Sequence, residues 1–207
     1  KQITYVVEGQ SITANVLEIV AGNNIGTNSA NGLCNNINLT HVFFEGTPNN
    51  TANIQIFNMY AFKKCANLVY VDTPSSLLAL GVQALNSCPK LSISSLPRVQ
   101  NIGANCFTSS AQEGSTNTLV IGGDIQVIAS GAFTQVGWRK IIIGSLANPT
   151  SMIKANFGDN ATQPVFGNRS IIPYLEELEI YSSVFSPVED LGGLFRDPVP
   201  TVTIFTI

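Results

Sequence analysis

Charged side chains are scarce in this chain. Asp, Glu, Lys and Arg make up 11% of its 207 residues, whereas soluble domains usually carry roughly 25%. Apolar residues account for 44%, which is typical of a folded chain with a substantial core and not of a disordered one. The remaining polarity comes from Asn, Ser, Thr and Gly, which hydrogen-bond their own backbone and tolerate tight turns. The composition therefore predicts a compact fold whose chain turns often.

Basic runs and long apolar runs are also missing. The ten Lys and Arg residues are scattered along the chain, and the only adjacent ones are Lys63 with Lys64 and Arg139 with Lys140. Because a phosphate backbone is bound by a basic stripe, nucleic acid is not an expected partner. The longest apolar runs, at 77–82 and 141–143, fall far short of the ~18 residues of a membrane helix. We expect no membrane span in this chain.

The chain contains a single histidine, His41, in the sequence NLTHVFFEG. A nucleophilic triad requires an imidazole beside the nucleophile. No G-x-S-x-G, P-loop or dinucleotide-binding fingerprint accompanies this histidine. The pattern around His41 is more typical of a strand residue on a repeat face. We therefore expect a protein that is not an enzyme and that has no cofactor.

Metal-ligand spacings are absent from the sequence as well. No C-x-x-C pair occurs among the four cysteines, which are Cys34, Cys65, Cys88 and Cys106, so zinc is not expected. Carboxylates concentrate late in the chain, at Glu176, Glu177, Glu179, Glu189 and Asp190. Paired acids serve glycosidases and calcium sites. Without a calcium-loop motif, however, adjacent and alternating acids favour a solvated strand edge, and we predict no metal site.

Two segments of the chain repeat one another. Residues 54–74 read IQIFNMYAFKKCANLVYVDTP, residues 77–97 read LLALGVQALNSCPKLSISSLP, and the two align without a gap. Matching positions pair Ile54 with Leu77, Phe57 with Leu80, Ala61 with Ala84, Phe62 with Leu85, Cys65 with Cys88, Leu68 with Leu91 and Pro74 with Pro97. Later units at 99–107 and 125–133 keep the first half of this template. Such self-similarity indicates a repeat architecture.

The spacing of the units indicates the class of repeat. The anchors Phe62, Leu85, Phe107 and Phe133 lie 22 to 26 residues apart, within the 20 to 29 of a leucine-rich repeat. Alternating apolar pairs predict one short strand per coil, at Leu17 and Ile19, Val42 and Phe44, Val71 and Thr73, Ser94 and Leu96, Leu119 and Ile121, Ile141 and Ile143, Leu178 and Ile180, and Val202 and Ile204. The predicted fold is an α/β leucine-rich-repeat solenoid of about eight coils, with parallel strands on one face and short helical turns opposite.

The chain is predicted to be one solenoid domain over 1–207. Residues 1–53 form degenerate N-terminal coils or a cap, 54–143 are the regular repeats, and 144–207 are irregular C-terminal coils with a long insertion. The segment 144–177 is too long for one coil. It contains a degenerate coil around Val165 and Phe166, a short helix near 151–157, or a protruding loop, and the pattern does not choose among these.

The template resembles the BspA-type leucine-rich repeat. The residues that carry the resemblance are LLALGVQALNSCPKLSISSLP and RVQNIGANCF, supported by YAFKKCANLVYVDTP and IQVIASGAF. The resemblance covers 54–143 well and the flanks loosely. It implies a secreted or cell-surface binding module that adheres to host or partner-cell proteins, by analogy. The chain starts at Lys1 without Met or an apolar signal region, so we expect any leader segment to be absent from it.

Two other functions remain open beside adhesion to an extracellular or host protein. A carbohydrate-binding or accessory domain is expected to show exposed aromatic side chains in a row. A passive spacer of a larger surface protein is expected to bind neither glycans nor matrix proteins. No ligand residues transfer from the family.

Alternation along the strands predicts which side chains project to solvent. If the apolar pairs point inward, their neighbours point outward. The candidate binding residues are accordingly Tyr70, Asp72, Val120, Lys140, Ile142, Glu177, Glu179 and Tyr181. Val120 and Ile142 on adjacent coils are expected to form a small apolar strip beside Lys140, and mixed patches of this kind are used by partner surfaces.

Cys65 and Cys88 occupy the same slot of adjacent coils. Coils stack near 4.8 Å, which is within the range that a disulfide spans. The same slot holds Ser110 and Val136 in later units, which favours a small buried side chain and hence free thiols.

Overall fold

The computed structural model of the chain describes residues 2–7, 10–19, 24–25, 33–44, 54–158, 164–166, 175–184, 194–195 and 200–207. Short strands alternate with turns over these residues. The strands are β1 (Gln2–Val7), β2 (Gln10–Ile19), β3 (Asn24–Ile25), β4 (His41–Phe44), β5 (Ile56–Phe57), β6 (Tyr70–Val71), β7 (Ala79–Leu80), β8 (Ser95–Leu96), β9 (Asn101–Ile102), β10 (Thr118–Ile121), β11 (Val127–Ile128), β12 (Lys140–Ile143), β13 (Glu177–Ser182) and β14 (Thr201–Thr206). Together they form a parallel β-solenoid.

The strands that were predicted from the alternating apolar pairs, one in each coil, form two of the three sheets. The strand order is β1-β2-β4-β6 in one sheet and β14-β13-β12-β10-β8 in the other. All pairs in them are parallel except β1 with β2, which pair antiparallel. Between the two sheets, the Ser92 N–H donates to the Val69 main-chain oxygen. Parallel pairing of the repeats in 54–143 is thus confirmed.

Alternate residues of these strands are buried, as the apolar alternation predicts. The fully buried ones include Val42, Val71, Leu96, Leu119, Ile121, Ile141, Ile143, Leu178 and Ile180. Of the predicted inward residues, Thr73 is only half-buried, and Ser94 is exposed while Ile93 is buried instead. The hydrogen bond from Ser92 to Val69 places Ile93 beside Val71 in the parallel register, on the buried side. The first inward residue of this coil is therefore Ile93, one position earlier than the alternation predicts.

A second face of the solenoid carries a sheet that the sequence did not predict. Its strand order is β11-β9-β7-β5-β3, with parallel pairing throughout. Its buried residues occupy the second apolar position of each unit and are Phe57, Leu80, Ile102 and Ile128. Each strand has two residues, too few to show a period of two. The five strands mark five consecutive turns of the solenoid.

The short helical turns predicted at the Ala-Phe step are wrong. A run of tight turns occupies this step, and two residues in each have φ of 54–65°, in the left-handed region: Tyr60 and Lys64, Gln83 and Ser87, Asn105 and Ser109, Gly131 and Gln135. An α-helix of L residues cannot pass through such positions. A 3₁₀ turn lies at Lys154–Asn156, and none of the described residues is α-helical, so they contain no α-helical layer.

Main-chain hydrogen bonds explain why these turns repeat. Alternate N–H groups close a turn within the coil, as Ala61 does to Asn58 and Lys63 to Tyr60. The N–H groups between them donate to the next coil, as Phe62 does to Ala84. Every second amide therefore ties one coil to the next, which satisfies backbone groups that a buried turn would otherwise leave unpaired.

The four anchors are buried in equivalent positions, as predicted. Phe62, Leu85, Phe107 and Phe133 are each at most 2% exposed. The ring of Phe107 stacks on that of Phe133 at a centroid distance of 5.4 Å. It also meets the buried Trp138 edge-on at 5.2 Å. The core is thus a continuous column of side chains from successive coils.

The long segment 144–177 continues the solenoid through a degenerate coil. The Phe133 N–H donates to the Val165 oxygen, and the Phe166 ring stacks on Phe133 at 5.5 Å. Phe157 forms a parallel bridge with Ile128. The short helix expected near 151–157 is the 3₁₀ turn. Residues 159–163 and 167–174, where a protruding loop was the third alternative, lie outside the described residues.

Candidate functional site

The predicted outward residues of β10, β12 and β13 project from the strand face. In β10, Leu119 and Ile121 are buried while Val120 between them is 38% exposed. The same alternation leaves Lys140 and Ile142 half-exposed in β12, and Glu177, Glu179 and Tyr181 accessible in β13. The inward neighbours fill the core, so these five residues and Val120 lie on the outer face of the sheet.

Strand register brings the six residues together. Val120 pairs with Ile142, Ile142 pairs with Glu179, and Lys140 pairs with Glu177. Paired residues on one face of a sheet lie about 5 Å apart, so the set is continuous across three strands. We call Val120, Lys140, Ile142, Glu177, Glu179 and Tyr181, together with Phe205, the strand-face patch.

Lys140 is the electrostatic centre of the patch. Its Nζ lies 2.6 Å from Glu179 Oε1 and 3.2 Å from Glu177 Oε2. Hydrogen bonds first to Glu179 and then to Glu177 raise the pKa of the Lys140 ammonium. Arg139 pairs with Glu176 at 3.4 Å on the neighbouring position. Each base beside the apolar strip is thus paired with at least one acid, so the patch has no strong field of one sign.

Phe205 belongs to the patch although the sequence analysis did not name it. It pairs in register with Tyr181, and the two rings stack with centroids 4.4 Å apart and 12° between their planes. Phe205 is 37% exposed. The signal was available, since the alternation of Val202 and Ile204 places Phe205 on the outer face in the same way as Tyr181.

Tyr70 projects to solvent as predicted but lies apart from the patch, on β6. It is 37% exposed and pairs in register with His41 of β4. Its ring also contacts that of Phe43, with centroids 5.5 Å apart. We call His41, Phe43 and Tyr70 the aromatic cluster. His41 and Phe43 were not predicted as surface partners of Tyr70, although the alternation of Val42 and Phe44 places both on the outer face.

The prediction that Asp72 projects to solvent is wrong. Asp72 is 5% exposed. Its Oδ2 accepts the Phe44 N–H at 2.9 Å, and its Oδ1 accepts the Tyr70 hydroxyl at 2.8 Å. Hydrogen bonds to a neighbouring coil make burial of the carboxylate favourable where strand alternation alone would expose it. In this position Asp72 orients Tyr70 and offers little surface to a partner.

The groups with nucleophilic or acid-base chemistry are held in apolar surroundings. Burial raises the pKa of the Cys65 thiol to about 11 and that of Cys106 to about 12. Burial lowers the pKa of His41, whose ring contacts are Phe43 and Tyr70. Within the described ranges, no group of three or more His, Cys, Asp and Glu side chains is arranged to hold a metal ion, and no helix has the length and hydropathy to cross a membrane.

Comparison with known proteins finds one family. The family model of the BspA type leucine rich repeat region matches residues 30–160 in six copies. No curated protein matches the chain, and no solved structure matches it. The matched range contains the regular repeats and the aromatic cluster, and it contains β10 and β12 of the strand-face patch but not β13 or β14.

Proposed function

Because this chain belongs to the BspA-type leucine-rich repeat family, we propose that it is a non-catalytic binding module of a secreted or cell-surface protein. The strand-face patch binds an extracellular or host protein in adhesion. The family supports a surface protein that binds partners, and the patch supplies a place for the partner.

The composition of the patch supports a protein partner. Protein interfaces combine an apolar centre, enriched in aromatic residues, with a polar rim. Val120 and Ile142 pair in register and are both accessible, and with the stacked Tyr181 and Phe205 they form the apolar centre. Lys140 with Glu177 and Glu179 forms the charged rim. The continuity of these groups on one rigid sheet is the observation that carries the proposal.

A binding screen of the purified chain against immobilised extracellular-matrix proteins tests the proposal. We expect the wild-type chain to bind at least one of them in a saturable manner. The double variant Val120→Ser, Ile142→Ser should abolish this binding while its melting temperature stays close to that of the wild type. Val127→Ser is the matched control, because Val127 is a valine of similar exposure, 40%, on the other parallel sheet.

Unaltered binding by the double variant would show that the partner uses another surface. Loss of folding would show that Val120 and Ile142 belong to the core. Either result contradicts the assignment of the patch.

Carbohydrate binding is the second candidate, and the stacked pair of Tyr181 and Phe205 favours it. Aromatic side chains that cross neighbouring coils were the expected mark of this function, and this pair crosses from β13 to β14. A glycan array run beside the protein screen separates the two candidates. Binding to glycans alone, lost in Tyr181→Leu, would replace the protein-binding proposal. Binding to neither class would favour a passive spacer.

A further inference from the structure

The aromatic cluster is a second surface feature on the strand face, outside the strand-face patch. The centroids of His41 and Phe43 are 6.1 Å apart, those of His41 and Tyr70 are 6.4 Å apart, and those of Phe43 and Tyr70 are 5.5 Å apart. The interplanar angles are only 21° to 38°. Three rings from two adjacent strands thus form one contiguous group, with Tyr70 as its most accessible member.

The Tyr70 ring is held in place before any ligand arrives. Its hydroxyl donates to Asp72 Oδ1, and Asp72 is itself fixed by the Phe44 N–H on Oδ2. A ring tied to a buried carboxylate loses little rotational freedom on binding, because that freedom is already gone. The cluster is therefore preorganised at Tyr70.

The electrostatics of the cluster favour a cation. The faces of aromatic rings carry partial negative charge, which attracts ammonium and guanidinium groups. The buried carboxylate of Asp72, which accepts the Tyr70 hydroxyl, adds to this potential. Burial first, and then the hydrogen bond and charge of Asp72, raise the pKa of Tyr70 to about 12.

We propose that the aromatic cluster receives the guanidinium group of an arginine side chain presented by the protein partner. Arginine fits better than lysine, because its planar guanidinium stacks on aromatic rings and is more weakly hydrated than an ammonium. The inference rests on the proposed function in one respect, that the partner is a protein. It adds a second contact, on β4 and β6, and it names the chemistry of that contact.

An NMR titration with a small arginine peptide tests this contact without the partner. The probe is the blocked tripeptide Gly-Arg-Gly, and the matched probe replaces arginine with citrulline, which has nearly the same shape and no charge. We expect the arginine peptide to shift the ring resonances of His41, Phe43 and Tyr70 in a saturable manner. The affinity for the citrulline peptide should be lower by at least about threefold.

Variants of the protein locate the site. Tyr70→Leu should weaken binding of the arginine peptide by at least about threefold, and Tyr70→Phe, which keeps the ring, should weaken it less. Tyr60→Leu is the matched control, because Tyr60 is a half-exposed tyrosine in the turns and not in the cluster. Thermal melting of each variant confirms that it is folded.

Three results would overturn the proposal. They are equal shifts with the citrulline peptide, no shift at the three rings, or equal affinity in Tyr70→Leu and wild type. Ring shifts with a neutral oligosaccharide and none with arginine would identify the cluster as a sugar site instead. These outcomes are independent of the strand-face patch, since Val120 and Ile142 are unchanged in every variant. Failure of the arginine contact is therefore distinguishable from failure of the proposed function.

Discussion

The Cys88 thiol donates a hydrogen bond to the main-chain oxygen of Phe62 in the preceding coil, 3.1 Å away. Cys65 makes the equivalent bond to Leu33 at 3.0 Å, and in the next coil the Ser110 hydroxyl donates to Leu85 at 2.5 Å. The equivalent position in successive coils, occupied by Cys65, Cys88 and Ser110, thus holds a small side chain that donates a hydrogen bond to the main chain of the preceding coil. Cys65 and Cys88, like Cys34 and Cys106, form no disulfide in the structure.

Substitutions at Cys88 should follow this requirement. We expect Cys88→Ser to lower the free energy of unfolding by no more than about 1.5 kcal/mol, because the hydroxyl replaces the donor. Cys88→Leu should cost about 1–3 kcal/mol, because the slot has no room for a larger side chain. Urea unfolding measures both values. A serine variant less stable than the leucine variant would show that the donated hydrogen bond is unimportant.

The stability of the protein should decline in alkali. The pKa of Cys65 is raised to about 11 and that of Cys106 to about 12, both mainly by burial. Below pH 9 these thiols are protonated in the folded and the unfolded chain, so the stabilising effect is fully present. It is lost as pH rises from 9 towards 11 and 12, since only the unfolded chain ionises readily.

Thiol labelling checks the same burial at fixed pH. At pH 8, iodoacetamide should modify Cys65, Cys88 and Cys106 of the unfolded chain rapidly and those of the folded chain slowly, because the thiolate is the reactive species. Peptide mass spectrometry gives the extent at each site. Equally fast labelling of folded and unfolded protein would contradict their burial.

Truncation of Phe107 tests the stacking of core side chains between successive coils. Phe107 is fully buried and contacts the rings of both Phe133 and Trp138. Phe107→Ala should therefore lower the free energy of unfolding by about 3–5 kcal/mol, measured by urea unfolding with Trp138 fluorescence as the probe. Phe205→Ala, at an exposed ring, is the control and should cost much less. An unchanged melting temperature for Phe107→Ala would count against the stacked core.

Gly81 should resist substitution because of the close approach of coils. A Cβ at this position would lie 2.6 Å from main-chain atoms of Asn58 and Met59, and one at Gly103 would lie 2.6 Å from main-chain atoms of Gly81 and Val82. Replacing glycine with alanine often stabilises a protein by about 0.4–1 kcal/mol through the unfolded state. We expect Gly81→Ala to do the reverse and to cost about 1–3 kcal/mol. A rise in melting temperature would refute the contact, and Ser94→Ala at an exposed position is the control.

Much of the fold was predictable because every coil repeats the same pattern of apolar positions and must therefore adopt the same structure. Apolar positions such as Phe62 and Leu85 recur at a fixed spacing, and a coil cannot bury them alone. Stacking in register is then the arrangement that buries all of them, and it requires parallel strands. The candidate site followed in part, since alternation along β12 and β13 correctly exposes Lys140, Glu177 and Glu179.

The turns were not predictable by the same means. Tyr60, Gln83 and Asn105 all adopt positive φ, although only glycine adopts that region freely. Asparagine is enriched in this region, but tyrosine and glutamine are not, so the residue types do not mark the conformation in every coil. It is imposed by the amides that bond to the next coil, so it exists only when the coils are stacked.

The sequence by itself determined the repeat, its register, the buried anchors and the row of parallel strands, because these depend on the periodicity of apolar residues along the chain. Only the tertiary structure decided which predicted outward residue is withdrawn from solvent and which side chains are in contact. Asp72 is buried because its partner Phe44 comes from the neighbouring coil, 28 residues away. Tyr181 meets Phe205, and Tyr70 meets His41 and Phe43, because the length of each coil sets which residues become neighbours across it.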